Sequence, residues 1–196
     1  TAPTPGQSDK LPMHIPFGLG LVGPSGEDMA LDLEGVGNLN APIIELTEEK
    51  KSFRFRNVAT RPVLSLNRGF SAPVILQENV SPEDQLFLMA RDKDTFNRWE
   101  AGQSLGKSLI IANLAALRDK LPPPRSKGYA DALQKTLTDT TLDAAFKALM
   151  LGLPTEADIA AAIAKDVDTD LVLQSRNRSA SQSAGAEHLP HEWTQR

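Results

Sequence analysis

The sequence predicts an α+β fold in separate domains, with a small antiparallel β-sandwich followed by an α-helical segment of the superhelix type. Short apolar segments interrupted by proline and glycine fill residues 12–76, a helix-start signal stands at Ser81, and helical periodicity follows as far as Leu173. Beyond that point the chain is rich in serine and small polar residues. We therefore expect a β-sandwich domain over 1–80, the start of a helical domain over 81–173, and a disordered tail over 174–196.

The composition favours a folded protein and excludes several classes of function. The chain has 196 residues and a net charge of −4. A nucleic-acid-binding protein needs clustered basic residues, so no nucleic acid partner is expected. There is no cysteine, which excludes disulfides, thiolate nucleophiles and Cys-based zinc sites. We interpret the densest basic group as strand and turn surface: Arg54, Arg56, Arg61 and Arg68.

The sequence also indicates where in the cell the protein is expected. No apolar run approaches the ~20 residues of a membrane helix, and the N-terminus lacks the features of a signal peptide. We therefore expect no membrane partner and a cytoplasmic protein. Thr1 is not an initiator methionine, so we expect the chain to begin inside a longer protein.

The β region favours a sandwich of the immunoglobulin-like (Ig-like) type. The apolar run from Ile15 to Val22 ends at a Gly-Pro turn signal, and residues 29–33 are expected to return beside it as a hairpin. Residues 52–56 alternate, which places Phe53 and Phe55 on one face. Further short strands are expected at 43–46, 62–66 and 70–76. Several short strands with frequent turns are typical of a sandwich.

The helical region begins with a clear local signal. Ser81 is a good N-cap, and it is followed by proline at the first helical position and an acidic first turn. Prolines 122–124 are expected to end a helix. Thr140 and Thr155 are predicted to cap two later helices. Short amphipathic helices in series are typical of a stacked array, because each is too small to bury its apolar stripe alone.

Three motifs match known catalytic or cofactor signatures, and we interpret each as structural. Residues 18–23 match G-x-G-x-x-G, but the following Pro-Ser-Gly breaks the helix that would hold a pyrophosphate. Residues 102–106 match G-x-S-x-G around Ser104, but their flanks are helical rather than strand, turn and helix. His191 and Glu192 begin an H-E-x-x-H motif, but Gln195 replaces its second histidine.

The remaining titratable residues indicate no site either. Asp92 and Asp94 are attributed to helix starts, where the helix dipole favours carboxylates. The three histidines are His14, His188 and His191, and the last two lie in the predicted tail. The sequence therefore predicts no catalytic, cofactor-binding or metal-binding residue in this chain.

Three stretches nevertheless form a recognisable pattern. They run over residues 10–17 with 23–26, over 53–74, and over 85–105. The specific pair is Phe-Ser-Ala-Pro-Val at 70–74 and Arg-Trp-x-Ala-x-Gln-Ser-Leu at 98–105. Together these stretches resemble bacterial aminopeptidase N, a zinc-dependent metallopeptidase, and the resemblance covers residues 1–168.

The resemblance implies a non-catalytic portion of such an enzyme: its β-sandwich, without the first strand, and the first helices of its superhelix. The family's motifs H-E-x-x-H and G-x-M-E-N do not occur here, so no functional residue carries over and the zinc belongs to the parent enzyme. The implied role is to scaffold and enclose the chamber in which N-terminal residues are removed from peptides. The implied partners are the parent's catalytic domain and, indirectly, peptide substrates.

Two alternatives remain open from the residues themselves. In the first alternative, the chain is an independent β-sandwich binding or adaptor module with a helical extension. In the second, it is a serine hydrolase that uses Ser104. The scaffold interpretation predicts that this chain by itself is not an enzyme. It also predicts self-association, because a short helical array leaves an apolar face uncovered.

Overall fold

The computed structural model describes residues 4–124 and 127–183. The chain divides into two compact units. We call them the β unit, which comprises Thr1–Asn79 and Asp92–Asn97, and the helical unit, which comprises Val80–Arg91 and Arg98–Arg196. The predicted fold class is confirmed. The segment Asp92–Asn97, which falls in the predicted helical domain, belongs to the β unit.

Within the described residues, the β unit contains two three-stranded antiparallel sheets. One has the strand order β4-β1-β6 and the other β3-β2-β5. The strands are β1 (Ile15–Val22), β2 (Asp32–Leu33), β3 (Gly37–Asn38), β4 (Ile43–Leu46), β5 (Phe55–Arg56) and β6 (Val63–Leu66).

Strand β1 organises the first sheet, because its two halves pair with different strands. Ile15 lies opposite Leu46 of β4, and Leu19 lies opposite Leu66 of β6. The apolar side chains of this sheet form a core with side chains from the rest of the unit. The core consists of Phe17, Leu19, Ile44 and Ala72, with Phe53 and Phe55 among the partly buried side chains packed on it. The predicted common face of the two phenylalanines is confirmed.

One expected strand feature forms only in part, and another does not form. Residues 29–33 return beside β1 only at their start. The N–H of Met29 donates to the Leu21 carbonyl at 2.8 Å, next to an antiparallel bridge between Val22 and Asp28, but β2 then pairs with β3 and β5 in the other sheet. Residues 70–76 contain no strand. Instead a 3₁₀ turn spans Arg68–Phe70, and the buried Asn67 side chain hydrogen-bonds both the N–H and the C=O of Ala72. These main-chain groups are therefore bonded to a side chain and not to a neighbouring strand.

In the described part of the helical unit there are six α-helices. They are α1 (Pro82–Arg91), α2 (Thr95–Arg118), α3 (Lys127–Thr138), α4 (Ala144–Met150), α5 (Glu156–Ile163) and α6 (Thr169–Ser183); the first turn of α2 belongs to the β unit. None of these helices combines enough length with enough apolar character to cross a membrane.

The local helix signals are confirmed at all but one position. The N–H of Asp84 donates to Ser81 Oγ at 3.1 Å, and Thr155 forms a capping box with Asp158. The cap of α4 is Asp143 and not Thr140, because Asp143 is extended and its carboxylate accepts from the N–H of Phe146 at 2.7 Å.

The last described helix corrects the predicted disordered tail for residues 174–183. Helix α6 buries Val172, Ser175 and Ser179, of which each is at most 2% exposed. Small serines one turn apart permit close helix packing, so a polar composition is compatible with a buried face here. Residues 184–196 of the predicted tail lie outside the described residues.

Candidate functional site

The sequence motifs that resemble active sites occupy regular secondary structure. The glycines at 18 and 20 lie inside β1, so no helix N-terminus follows them directly. Ser104 lies within α2, where its Oγ accepts a hydrogen bond from Gln85 Nε2 at 3.3 Å. Neither motif therefore has the local structure that its chemistry requires.

The candidate metal ligands do not converge in the described chain. Among residues 4–124 and 127–183, no three His, Asp or Glu side chains are grouped so that they could hold a metal ion. His14 lies 3.6 Å from Glu45 at the surface. His188, His191 and Glu192 lie outside the described residues, so the expectation that this chain carries no site stays a prediction.

The most elaborate polar arrangement in the β unit centres on Arg68, at the start of the 3₁₀ turn. The prediction that Arg68 belongs to the surface is wrong, since its side chain is only 13% exposed. Its guanidinium donates two hydrogen bonds of 2.8 Å to Asp28, one of 3.0 Å to Asp92 and one of 2.8 Å to Ser65 Oγ. We call these four residues the Arg68 cluster.

Glycine 20 makes room for this cluster. A Cβ atom at that position would lie 2.2 Å from Arg68 Cζ and 2.4 Å from Nη1. Strand β1 therefore passes directly beneath the guanidinium. Gly20, which matches a cofactor motif in the sequence, instead allows the Arg68 side chain to lie close to the backbone of β1.

The electrostatics of the cluster are those of a buried ion pair. The Asp92 side chain is fully buried, and this burial raises its pKa although the Arg68 charge acts in the opposite direction. Burial by itself lowers the pKa of Arg68, but Asp28 and Asp92 outweigh it and the net pKa is raised. The attribution of Asp92 to a helix dipole is therefore wrong, whereas Asp94 does cap α2 by accepting from the N–H of Asn97 at 2.9 Å.

The remaining residues of the segment Asp92–Asn97 also bond within the β unit. Asn97 Nδ2 donates to Ser65 Oγ at 2.7 Å and to the Leu66 carbonyl at 2.8 Å. The N–H of Gly69 donates to Asp94 Oδ2 at 2.8 Å. The rings of Phe96 and Phe70 pack with their centroids 5.3 Å apart. The arrangement holds a chain segment in place and presents no nucleophile paired with a base.

The β unit also contains an open groove of about 960 Å³. Its apolar lining includes Ile44 and Phe53 of the core, and Val36 and Ile43 stand at its side with 68% and 45% exposure. The ion pair of Glu34 and Arg54, at 3.4 Å, lines it as well. Sequence reasoning missed this groove, because its lining residues come from strands and loops whose proximity depends on the sheet arrangement.

Comparison with known proteins identifies both units. Residues 1–79 match the family described as "Domain of unknown function (DUF3458) Ig-like fold", and residues 82–196 match its companion described as "Domain of unknown function (DUF3458_C) ARM repeats". The chain belongs to the DUF3458 family. Its β unit is accordingly an Ig-like domain, and its helices are an ARM-repeat segment.

Similar proteins of this family are bacterial aminopeptidases N. The chain is 44% identical to the enzyme from Caulobacter vibrioides over 118 residues, which are 60% of this chain. It is 34% identical to the enzyme from Escherichia coli over 160 residues, which are 82% of this chain. A third, from Haemophilus influenzae, is 29% identical over 90% of the chain. The chain spans only 13%, 18% and 20% of these relatives. It corresponds to their Ig-like domain and the start of their ARM-repeat domain.

A solved structure supports the same assignment. Legionella pneumophila aminopeptidase A in complex with aspartic acid is 25% identical, with a TM-score of 0.66 over 89% of this chain and 19% of that one. The DUF3458 boundary falls between residues 79 and 82. Asp92 and Asn97 therefore lie on the ARM-repeat side of the family boundary, although they pack in the Ig-like unit.

Proposed function

We propose that this chain is a non-catalytic structural portion of a zinc-dependent aminopeptidase N, which removes N-terminal residues from peptides. The observation that carries the proposal is the match to aminopeptidase N over 82% of this chain but only 18% of the Escherichia coli enzyme. The sequence contains no H-E-x-x-H motif. Catalysis is therefore assigned to parts of the parent enzyme that this chain does not supply.

The proposed role is to scaffold the parent enzyme and to help enclose its substrate chamber. The buried Arg68 cluster supports a rigid Ig-like domain, and the short helices with buried apolar stripes support a stacked array. The proposed partner is the catalytic domain of the same parent chain, and peptides are contacted only indirectly. In such an enzyme the zinc supplies Lewis-acid activation of a water molecule. The proposed location of the parent is the cytoplasm, with which the absence of cysteine from this chain is compatible.

The proposal is tested with the purified chain and two measurements. Zinc content after dialysis and hydrolysis of aminoacyl anilides are both expected to be at background. Retained stoichiometric zinc, or turnover that copurifies with the chain, would contradict the scaffold role. The nucleotide sequence upstream of the Thr1 codon provides an independent test, because an open reading frame with H-E-x-x-H is expected there.

Two further measurements address the alternatives. Covalent labelling of Ser104 by a fluorophosphonate would favour a serine hydrolase. A tight partner that lacks a peptidase domain would favour an adaptor module. The scaffold role predicts neither result.

A further inference from the structure

We infer that the segment Asp92–Asn97 completes the Ig-like fold of this chain, and that Arg68 is the residue that holds it there. The family boundary assigns this segment to the ARM-repeat region, on the far side of helix α1. The inference does not depend on peptidase activity. The segment contributes to the stability of the Ig-like domain, and helix α1 lies in the sequence between two parts of that domain.

The segment supplies hydrogen-bond partners for main-chain groups of the Ig-like domain. Strand β6 lies at an edge of its sheet, and Asn97 donates to the Leu66 carbonyl at its end. Asp94 accepts from the N–H of Gly69 in the turn that follows. The bond to Leu66 is partly buried, where an unpaired carbonyl would be costly, whereas the bond from Gly69 is exposed. The segment thus supplies one bond to the end of an edge strand and one to the turn that follows it.

Both ends of the segment are buried. Connecting segments ordinarily run over the surface with exposed polar side chains. Here Asp92 is 1% exposed and Asn97 is 8% exposed. Ser65, which is 1% exposed, accepts hydrogen bonds from both Asn97 and Arg68. Both ends of the segment are therefore packed into the fold, whereas Lys93 and Thr95 between them are exposed.

A buried ion pair joins the segment to the Ig-like domain. The Asp92 carboxylate is buried at 3.0 Å from the Arg68 guanidinium, so each ion stabilises the other where water is excluded. Removal of one member of a buried pair costs far more than removal of a surface pair. A backbone feature strengthens this argument: Asn67 and Phe70 adopt left-handed φ values of 56° and 51° beside Arg68. Such a turn persists only where surrounding bonds hold it.

Amide hydrogen exchange of the full chain tests the inference. The Leu19 amide, which donates to the Pro42 carbonyl at 2.9 Å, reports on the core of the β unit. The Gly69 amide, which donates to Asp94, reports on the segment. If the segment is integral, both amides exchange through the same opening, and their rates converge as urea is raised. A Gly69 rate that stays orders of magnitude faster and independent of urea would overturn the inference. This measurement needs no variant.

The variant Asp92→Asn provides a second readout at a distance from the mutation. We expect the Leu19 amide to exchange at least about tenfold faster in this variant, because the buried pair is lost. The matched control is Arg54→Met, which removes an exposed pair with Glu34 and should change the Leu19 rate by less than about threefold. An Asp92→Asn chain in which Gly69 exchange rises but Leu19 exchange equals that of the control would refute the role assigned to the segment.

Discussion

The substitution Gly20→Ala tests the close approach of strand β1 to Arg68. In an ordinary strand interior, alanine is more stable than glycine by roughly 0.5–1 kcal/mol, because glycine loses more backbone entropy on folding. We expect the opposite sign here. The new Cβ would lie 2.2 Å from Arg68 Cζ, 2.4 Å from Nη1 and 2.6 Å from Nε. The guanidinium therefore has to leave its position.

The magnitude follows from the bonds that this displacement breaks. Arg68 loses two hydrogen bonds to Asp28, one to Asp92 and one to Ser65. Separating a buried charge from its partner costs about 3–5 kcal/mol. The backbone gain offsets roughly 0.5–1 kcal/mol of this cost. We therefore expect Gly20→Ala to lower the free energy of unfolding by about 2–4.5 kcal/mol, the upper half of the range applying if no alternative rotamer recovers a bond.

Urea denaturation followed by circular dichroism measures the change, and exchange of the Leu19 amide assigns it to the β unit. A double-mutant cycle isolates its cause. In an Arg68→Met background the steric conflict with the guanidinium is absent, so Gly20→Ala should be neutral or slightly stabilising. Equal losses in both backgrounds, or a gain in stability in the parent chain, would refute the reasoning.

Three further predictions concern the helical unit. Thr155→Ala removes the capping box of α5 and should lower the free energy of unfolding by about 1 kcal/mol in urea denaturation. The pKa of Asp139 lies below 3.8 because of hydrogen bonds from Thr141 and, secondarily, the Arg98 guanidinium. The ionised Asp139 carboxylate therefore stabilises the fold above pH 3.8, and this stabilisation is lost as the pH falls through the lower pKa of Asp139 in the folded chain. In the variant Asp139→Asn, the free energy of unfolding should fall less steeply at acid pH. Finally, we expect the chain to self-associate, as measured by sedimentation velocity. Leu149 is 53% exposed, so the variant Leu149→Glu should weaken this self-association.

Local signals in the sequence predicted the elements that depend on near neighbours. The Ser81 cap, the proline stop at 122–124 and the Thr155 cap each depend on residues within one helical turn. The alternation around Phe53 and Phe55 likewise reflects a period that the backbone itself imposes. These predictions succeeded because the interactions that decide them span few residues.

Predictions that depended on distant partners were less successful. Arg68 and Asp92 are separated by 24 residues and a helix, and nothing in the local pattern indicates that they form a buried pair. Residues 70–76 have strand-like composition, yet the Asn67 side chain occupies the main-chain groups of Ala72. The serines of α6 indicated disorder by composition, but they pack in a buried interface where small size favours them.

By itself the sequence determined the fold class, the order of the units, the caps at Ser81 and Thr155, and the family resemblance, because periodicity, caps and motifs are encoded within short stretches. Only the tertiary structure decided that Gly20 serves an arginine and that Asp92–Asn97 belongs to the Ig-like unit. The physical reason is that burial is a property of the packed chain. The same charged residue is a solvated surface group or half of a buried ion pair according to the neighbours that folding brings to it.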